Sequence, residues 1–391
     1  MGSSENRRAA IRDVALVNAH SIKGSSAPSH VEYIDISSVG TGEFTEPPKL
    51  MSFADAPSRA RRIVKAGDTI LSTVRPNRRS FLFLASPSSI AVASTGFAVL
   101  TPTTAVDARY LYYWVTRQDF TDYLSLHAKG AAYPAVSAED IGNGEIELPS
   151  LPVQQRIAGI LSAYDELIEN SQRRIKILEA MARALYREWF VHFRFPGHEN
   201  HPLVASPLGE IPQGWEVKKL GNLADISWGD TSTTKASYVE EGYAAYSATG
   251  SDGKLDHYDF DRTGIVLSAL GAQCGKTWLA RGQWSCIKNT IRFWSKNECV
   301  STEYLFIATE GQDFWPRRGA AQPFISQGDA ERIDLLTPDC ETMRRFTIFA
   351  ADSLERIATL DMQIRNLRLT RDLLLPRLLS GQIKLEITEI G

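Results

Sequence analysis

Four polar side chains lie close together in TVRPNRRSF, between two β-rich stretches of the N-terminal part. They are Arg75, Asn77, Arg78 and Arg79. An arginine can bind guanine O6 and N7, an asparagine amide pairs in a similar way with adenine, and either group can hold a phosphate. The stretch therefore predicts a loop that contacts nucleic acid, although a pair of arginines on a loop is also typical of ordinary solvated surface.

Other short segments carry similar groups. KGAAYP and RRGAAQP place basic, aromatic and amide side chains beside small residues, which let a backbone approach closely, and further polar groups lie near strand-like stretches of the C-terminal part. The additional candidate DNA-binding residues are Lys129, Tyr133, Gln273, Lys276, Lys288, Asn289, Arg317, Arg318 and Gln322.

The sequence lacks the common motifs of catalysis, cofactor binding and metal binding. GAQCGKT, from Gly271 to Thr277, resembles a phosphate-binding loop, but that loop needs a glycine where this chain has Leu270. G-x-S-x-G, H-E-x-x-H and an N-P-P-Y-like tetrapeptide are also missing. The cysteine spacings match no zinc site and predict free buried thiols at Cys274, Cys286, Cys299 and Cys340. We therefore expect a non-catalytic chain without a cofactor or metal of its own.

A long heptad repeat follows the first set of loops and must help to position them. In PSLPVQQRIAGILSAYDELIENSQRRIKILEAMARALYREWF, mostly apolar residues recur at alternating steps of four and three. These seam positions are Ile157, Leu161, Tyr164, Ile168, Ser171, Ile175, Leu178, Ala182 and Leu185. Pro152 fits the first turn of a helix, and Pro196 with Gly197 ends it.

The same pattern recurs 189 residues later. The matching positions are Phe346, Ala350, Ser353, Ile357, Leu360, Ile364, Leu367, Arg371 and Leu374. GAAYPAVSAEDI, which begins at Gly130, matches GAAQPFISQGDA, which begins at Gly319, at the same offset. The chain therefore has two related units, each a globular segment followed by a long helix. We expect the second helix to end at Pro376 and LLSGQIKL to return as a short strand.

Composition limits the class of protein. A chain of 391 residues with 43% hydrophobic and 23% charged content is typical of a soluble protein of two or three domains. We expect it in the cytoplasm, because it has no apolar run of membrane-spanning length and no apolar centre near its N-terminus. A net charge of −3 argues against coating nucleic acid by bulk charge. This charge is compatible with sequence-specific binding through local basic faces, or with binding that is shared with a more basic partner.

Periodicity predicts strands and helices in both globular segments. The predicted strands cover residues 31–39, 67–75, 81–85, 90–100, 265–271 and 286–294. Helices are predicted over residues 108–128 and 301–315. The plausible core residues of the first of these helices are Tyr110, Leu111, Trp114, Phe120 and Leu124.

Taken together, these segments resemble the specificity (S) subunit of type I restriction–modification systems over nearly the whole chain. The heptad segment is similar to the family's central conserved region, and IPQGWEVKKLGNLADI to the start of a target recognition domain. GDTILSTVRPNRR and RDLLLPRLLSGQIKL are also family-like. Two departures stand out: no I-P-x-G-W precedes Ile11, and the second helix begins in TPDCETMRRF instead of L-P-x-L-P.

The resemblance implies a mixed α/β fold in which two similar target recognition domains are joined by two long helices that form an antiparallel coiled coil. The expected segments are recognition domain 1 (1–149), the first helix (150–195), recognition domain 2 with its linker (196–339), and the second helix with the C-terminal segment (340–391). The resemblance further implies binding of a bipartite double-stranded DNA target, with the helices as a ruler. The implied partners are two copies of a methyltransferase (M) subunit and a restriction (R) subunit, which would carry S-adenosylmethionine, ATP and Mg²⁺.

Two other functions fit part of the pattern. A coiled-coil scaffold whose globular ends bind protein would show the same heptads, and protection of a discontinuous DNA sequence would distinguish it from a DNA reader. An enzyme that acts on nucleic acid by itself is disfavoured by the missing motifs, and a methylation assay on the chain alone would test it.

Overall fold

The computed structural model describes residues 7–23, 28–319, 321–383 and 385. It divides into unit 1, residues 1–170 with 364–391, and unit 2, residues 171–363. None of the described helices is both long enough and apolar enough to cross a membrane. Residues 1–6, at the N-terminus where we expected no apolar centre, and Lys384 in the predicted C-terminal strand lie outside the described residues.

Unit 1 is built on antiparallel strands with one parallel pair. Its strands are β1 (Arg7–Ala10), β2 (Ala15–Val17), β3 (His30–Ile34), β4 (Lys49–Ser52), β5 (Ala60–Ile63), β6 (Asp68–Ser72), β7 (Phe81–Leu84), β8 (Ala91–Ser94), β9 (Phe97–Pro102) and β10 (Glu145–Leu148). Its helices are α1 (Ile11–Val14), α2 (Ala108–Val115), α3 (Gln118–His127), α4 (Ala138–Asn143), the first part of α5 (Leu151–Tyr186) and the end of α9 (Cys340–Leu379). The strands are ordered β2-β9-β6-β7 in one sheet, β4-β3-β8-β5 in a second, and β1-β10 in a ribbon.

Unit 2 repeats this plan after a linker hairpin of β11 (Leu203–Ser206) and β12 (Gly209–Pro212). Its other strands are β13 (Glu216–Lys219), β14 (Ala224–Trp228), β15 (Tyr243–Ser247), β16 (Gly250–Leu255), β17 (Phe260–Asp261), β18 (Gly264–Ser268), β19 (Thr277–Ala280), β20 (Gln283–Cys286), β21 (Thr290–Ser295) and β22 (Asp334–Thr337). Its helices, besides the end of α5, are α6 (Leu220–Leu223), α7 (Thr302–Ala308), α8 (Gln327–Glu331) and most of α9 (Cys340–Leu379).

The strand orders β14-β21-β18-β19, β16-β15-β20-β17 and β13-β22 match those of unit 1 element by element. In each unit the parallel pair occupies the same place, β3 with β8 and β15 with β20. The internal repeat predicted from the sequence is therefore confirmed at the level of topology. The core also follows the prediction, since the five apolar residues expected in the helical region after β9 are all buried.

The two long helices bury the predicted seam. All 18 seam positions are buried or half-buried, while the charged positions beside them are exposed except for the half-buried Asp165 and Glu179. In unit 1, Ile157 and Leu161 share an apolar core with Leu378, whereas Asp165, farther along α5, binds Arg371, which is earlier in α9. The two helix segments in unit 1 are therefore antiparallel.

The second helix continues past its predicted end. Pro376 lies inside α9, which ends at Leu379. A proline in a helix removes one hydrogen bond and crowds the preceding turn, but Leu378 and Leu379 are only 3% and 1% exposed in the core of unit 1. Burial of these side chains favours helix where we predicted a strand to begin.

Several other predictions were wrong in part. Residues 90–100 and 286–294, each predicted as one strand, are interrupted by turns before β9 and β21, and the helix predicted over residues 301–315 ends at Ala308 as α7. Residues 108–128 form two helices, because Arg117 adopts an extended backbone between α2 and α3.

Of the four cysteines, Cys274 and Cys286 are free and buried as predicted, but Cys299 and Cys340 form a disulfide. The fold places the loop after β21 beside the first residue of α9, with a Cα–Cα distance of 4.9 Å, and sequence spacing does not reveal that proximity.

Candidate nucleic-acid interface

The predicted loop of unit 1 connects β6 to β7 as a hairpin and is held by backbone hydrogen bonds. Thr73 N donates to Gly96 O at 2.8 Å and Arg75 N to Pro134 O at 2.7 Å. Val136 N in turn donates to Thr73 O at 2.9 Å. These bonds join three separate segments, so the loop and the KGAAYP turn form one surface.

Unit 2 builds the same frame from equivalent positions. The loop between β18 and β19 has the same length as that between β6 and β7. Ala269 N donates to Asn289 O at 3.0 Å, Gly271 N to Pro323 O at 2.9 Å, and Ile325 N to Ala269 O at 2.9 Å. The structure therefore brings the predicted residues of unit 2 together as well, in the hairpin loop, the turn at Asn289 and the RRGAAQP turn.

A glycine with positive φ shapes the KGAAYP segment of unit 1 and the RRGAAQP segment of unit 2. Gly130 has φ +101° and Gly319 has φ +79°. A Cβ on Gly130 would lie 3.0 Å from Tyr133 O, and one on Gly319 would lie 2.8 Å from Gln322 O. A side chain fits neither position, because both backbones turn back on themselves there.

Two arginines of unit 1 have left-handed backbone where unit 2 has glycine. Arg75 has φ 49° and Arg79 has φ 55°. The equivalent Gly271 and Gly275 have φ 88° and 92°. A left-handed conformation costs a residue with a Cβ about 1–2 kcal/mol. Both arginines occupy positions that glycine suits better, which indicates that their side chains have a function.

The side chain of Arg75 fixes an exposed aromatic ring. Its guanidinium lies 4.7 Å from the centroid of the Tyr133 ring, and its Nη2 donates to Ala132 O at 3.1 Å. Tyr133 nevertheless remains 71% exposed. A cation–π contact of this kind stabilises an exposed site by about 0.5–1 kcal/mol. Unit 1 therefore presents a phenol ring with restricted motion on the predicted DNA surface.

Arg78 and Arg79 are adjacent in sequence but have different surroundings. Arg78 is exposed and lines a cavity of about 420 Å³ together with Arg75 and Tyr133. Among the described residues, no hydrogen bond or ion pair engages its guanidinium. Arg79 is half-buried; its Nη2 donates to Thr116 O at 2.8 Å, and its Nη1 donates to Gln118 Oε1. Arg78 is therefore available to a ligand, whereas Arg79 holds the loop against the start of α3.

The same cavity contains a carboxylate that the sequence analysis missed. Asp35 accepts hydrogen bonds from Tyr33 Oη at 2.8 Å and Arg59 Nη2 at 2.7 Å. Burial alone would raise the pKa of Asp35, but these bonds and those from Ser37 lower it to about 2. Because Arg59 neutralises Asp35, the remaining charge of the cavity is positive. An Asp followed two residues later by Ser is a turn signal that could have located this group.

The exposed groups of unit 2 are of another kind. Lys276, Lys288 and Gln322 are exposed, and Gln273 and Asn289 are half-buried. Unit 2 therefore offers ammonium and amide groups where unit 1 offers a guanidinium and a phenol.

Two predicted arginines of unit 2 have carboxylate partners within the unit. Arg317 Nη2 lies 2.7 Å from Asp313 Oδ1. Arg318 Nη2 binds Oδ1 of Asp329, whose side chain caps α8 and is 5% exposed. Both arginines are exposed, but their carboxylate partners restrict the motion of their side chains. In unit 1, the predicted residues Lys129 and Asn77 are also exposed.

The segment resembling a phosphate-binding loop is a strand connection. Gly271 N and Gly275 N donate to Pro323 O and Ser268 O, both at 2.9 Å. Donors used in this way cannot hold a phosphate. Among the described residues, no three His, Cys, Asp or Glu side chains are grouped so that they could hold a metal ion.

Comparison with known proteins identifies the family. The model of the type I restriction modification DNA specificity domain matches residues 55–180 and again residues 212–345. The MjaIX specificity subunit of Methanocaldococcus jannaschii is 24% identical over 83% of this chain and 79% of its own length. The HindI specificity subunit of Haemophilus influenzae is 22% identical over 86% of this chain and 90% of its own.

A solved structure supports the fold. The crystal structure of a type I restriction–modification S subunit from M. genitalium has a TM-score of 0.62 and 15% identity, covering 97% of each chain. The family model covers more than half of the chain and occurs twice, once in each repeated globular segment. The chain belongs to the family of type I restriction–modification DNA specificity subunits.

Proposed function

We propose that this chain recognises a bipartite double-stranded DNA sequence without catalysing a reaction itself, and that it directs the methyltransferase and restriction subunits of a type I system. Residues 1–149 and 196–339 would be the two recognition domains, and residues 150–195 and 340–391 would be the helical segments. We place its action in the cytoplasm, with S-adenosylmethionine, ATP and Mg²⁺ belonging to the partner subunits. The repeat suggests two equivalent docking surfaces and hence two copies of the M subunit.

One observation supports this proposal most directly. The two units use the same three backbone hydrogen bonds to hold a hairpin loop, yet the two loops carry different polar side chains. Backbone bonds fix the position of a loop, and side chains determine which base edges it can contact. In domain 1 we propose Arg78 as the principal reader, with Asn77, Tyr133 and Lys129 beside it, and Arg79 and Arg75 as residues that position the loop.

In domain 2 we propose that Lys276 and Gln273 on the hairpin loop contact DNA, together with Lys288, Asn289 and Gln322. Arg317 and Arg318 would add positive charge beside them. The ion pair of Arg317 with the exposed Asp313 can exchange its partner for a phosphate at low cost. In both domains phosphate contacts would set affinity and its salt dependence.

The helices would set the spacing between the two half-sites. α5 is 36 residues long without interruption, and an α-helix of that length extends about 54 Å. This exceeds one turn of duplex, about 34 Å. We therefore expect an unread gap between two short recognised sequences.

Methylome sequencing of cells that express this chain with its M subunit tests the proposal. The expected result is methylation within one discontinuous sequence. Lys276→Ala should relax the preference at one half-site, and Arg78→Ala should relax it at the other. Methylation without a discontinuous sequence, or methyl transfer by the purified chain without an M subunit, would contradict the proposal. If the chain acts only as a scaffold, its complex would bind DNA without sequence preference.

A further inference from the structure

A charged network crosses the helix seam of unit 1. Arg371 occupies a seam position of α9, and its Nη1 donates to Asp165 Oδ1 of α5 at 2.5 Å. The other oxygen of Asp165 accepts a hydrogen bond from Tyr113 Oη of α2 at 2.5 Å. Side-chain exposure is 27% for both Arg371 and Asp165, and Asp372 pairs with Arg371 at the rim. Burial alone would lower the pKa of Arg371, but hydrogen bonds and Coulombic attraction to Asp165 and Asp372 raise it, so Arg371 stays charged.

The internal repeat supplies a matched site without this network. At the 189-residue offset, Asp165 corresponds to Leu354 and Arg371 to Ala182. Tyr110 and Tyr304 donate to equivalent strand carbonyls; their separation of 194 residues also relates Tyr113 to Ile307.

The matched site is apolar throughout. Leu354, Ala182 and Ile307 lie in one hydrophobic core and are 8%, 3% and 7% exposed. The same architecture therefore forms with no charge at these three positions. Because replacing a buried ion pair by apolar groups is often neutral or stabilising, stability of the fold does not explain the network in unit 1.

The network does distinguish between possible helix partners. The seam of α5 recurs in α9 at the 189-residue offset. Each helix therefore resembles its partner closely enough to pair antiparallel with its own copy in a second chain. Pairing of α9 with α9 of a second copy would place Arg371 opposite Leu354, and pairing of α5 with α5 would place Asp165 opposite Ala182. Each arrangement would leave a half-buried charge without its partner, which is unfavourable. Pairing of α5 with α9 satisfies both charges.

We propose that the Asp165–Arg371 pair selects pairing of α5 with α9 over pairing of either helix with its own copy in a second chain. A polar group at a heptad seam is the best-attested means of specifying a helix partner. Tyr113 adds to the selection because it binds Asp165 from recognition domain 1. The inference concerns association between copies of the chain and does not depend on which DNA is recognised.

The experiment compares exchange between two differently tagged full-length copies that are co-expressed. Complexes captured through one tag are quantified through the other, and native mass spectrometry gives their stoichiometry. The apolar variant combines Tyr113→Ile, Asp165→Leu and Arg371→Ala, which copies the residues of unit 2. The charge-swapped variant combines Asp165→Arg with Arg371→Asp.

We expect the apolar variant to form mixed dimers at least about tenfold more than the wild type, and the charge-swapped variant to return to the wild-type level. Arg356→Ala removes an exposed ion pair on α9 and should match the wild type. If circular dichroism shows that the apolar variant does not fold, Asp165→Met with Arg371→Met replaces it under the same criteria. No rise in mixed dimers in the apolar variant, or an equal rise in the charge-swapped variant, would overturn the proposal.

Discussion

Arg78 and Arg79 should respond differently to mutation although they are neighbours. Arg78 is exposed and lines the cavity of recognition domain 1, so Arg78→Ala should change the free energy of unfolding by less than about 0.5 kcal/mol. If Arg78 reads a base, its loss should weaken specific binding by about 1–3 kcal/mol, which is roughly 5- to 150-fold. If it binds a phosphate, affinity should fall for all sequences and the salt slope should decrease by about 0.9.

Arg79→Ala should instead act mainly by lowering the free energy of unfolding. The guanidinium donates to Thr116 O and Gln118 Oε1, and hydrogen bonds from charged groups contribute about 1.5–3 kcal/mol. Arg79→Gly removes the same contacts and also the cost of the left-handed backbone, about 1–2 kcal/mol. The glycine variant should therefore be more stable than the alanine variant, which isolates the backbone contribution.

The assay is fluorescence anisotropy of a duplex that carries the methylated sequence, measured with the chain in complex with its M subunit at several salt concentrations. Urea unfolding of the same variants gives the stability. Arg78→Lys serves as the matched control, since a lysine can preserve a phosphate contact but cannot make the bidentate contact of an arginine with guanine. The reasoning would be refuted if Arg78→Ala bound DNA like the wild type, or if Arg79→Ala lost DNA affinity without any loss of stability.

Three further predictions concern the disulfide, Asp35 and Lys276. Reduction of the disulfide, or Cys299→Ser, should lower the free energy of unfolding by about 2–4 kcal/mol, because the cross-link to Cys340 closes a loop of 41 residues. Equal urea midpoints with and without reductant would refute this. The folded pKa of Asp35 is about 2, below its ordinary 3.8, so its contribution is present above pH 4 and lost as the pH falls toward 2. Asp35→Asn should cost about 2 kcal/mol at pH 7, and the difference from wild type in urea unfolding should shrink below pH 4. Lys276→Ala should weaken binding in anisotropy only for duplexes that retain the domain 2 half-site, and an equal loss with that half-site scrambled would count against its role.

Periodicity and internal repetition predicted most of the architecture. A heptad seam is a property of side-chain spacing, so the positions from Ile157 to Leu185 could be identified without a structure. The strands at residues 67–75 and 81–85 were found because they are apolar and bounded by turn residues. In contrast, the pairing of Cys299 with Cys340 depends on a contact between distant segments, which local patterns cannot show. The end of α9 was misplaced for a related reason, since tertiary burial of Leu378 outweighs the local effect of Pro376.

The interface was predictable in composition but not in detail. Residue type indicated that TVRPNRRSF could contact DNA, and the structure places Arg75, Arg78 and Tyr133 around one cavity. The sequence could not separate Arg78 from Arg79, because the difference arises from the position of Gln118 at the start of α3. It also passed over Asp35, whose role depends on partners brought together by folding.

Under the proposed function, the two surfaces would allow one fold to carry two different sequence preferences. The bonds common to both hairpin loops join backbone N–H and C=O groups, so side chains that do not themselves hold the loop, such as that of Arg78, can change without moving it. At equivalent positions the chain has Arg75 and Gly271, and Tyr133 and Gln322. Only glycine adopts the left-handed backbone at the first of these positions without cost, so domain 1 retains Arg75 against a conformational penalty of about 1–2 kcal/mol. A penalty of that size is maintained where a side chain contributes more than it costs, and we therefore expect the two half-sites to differ in sequence.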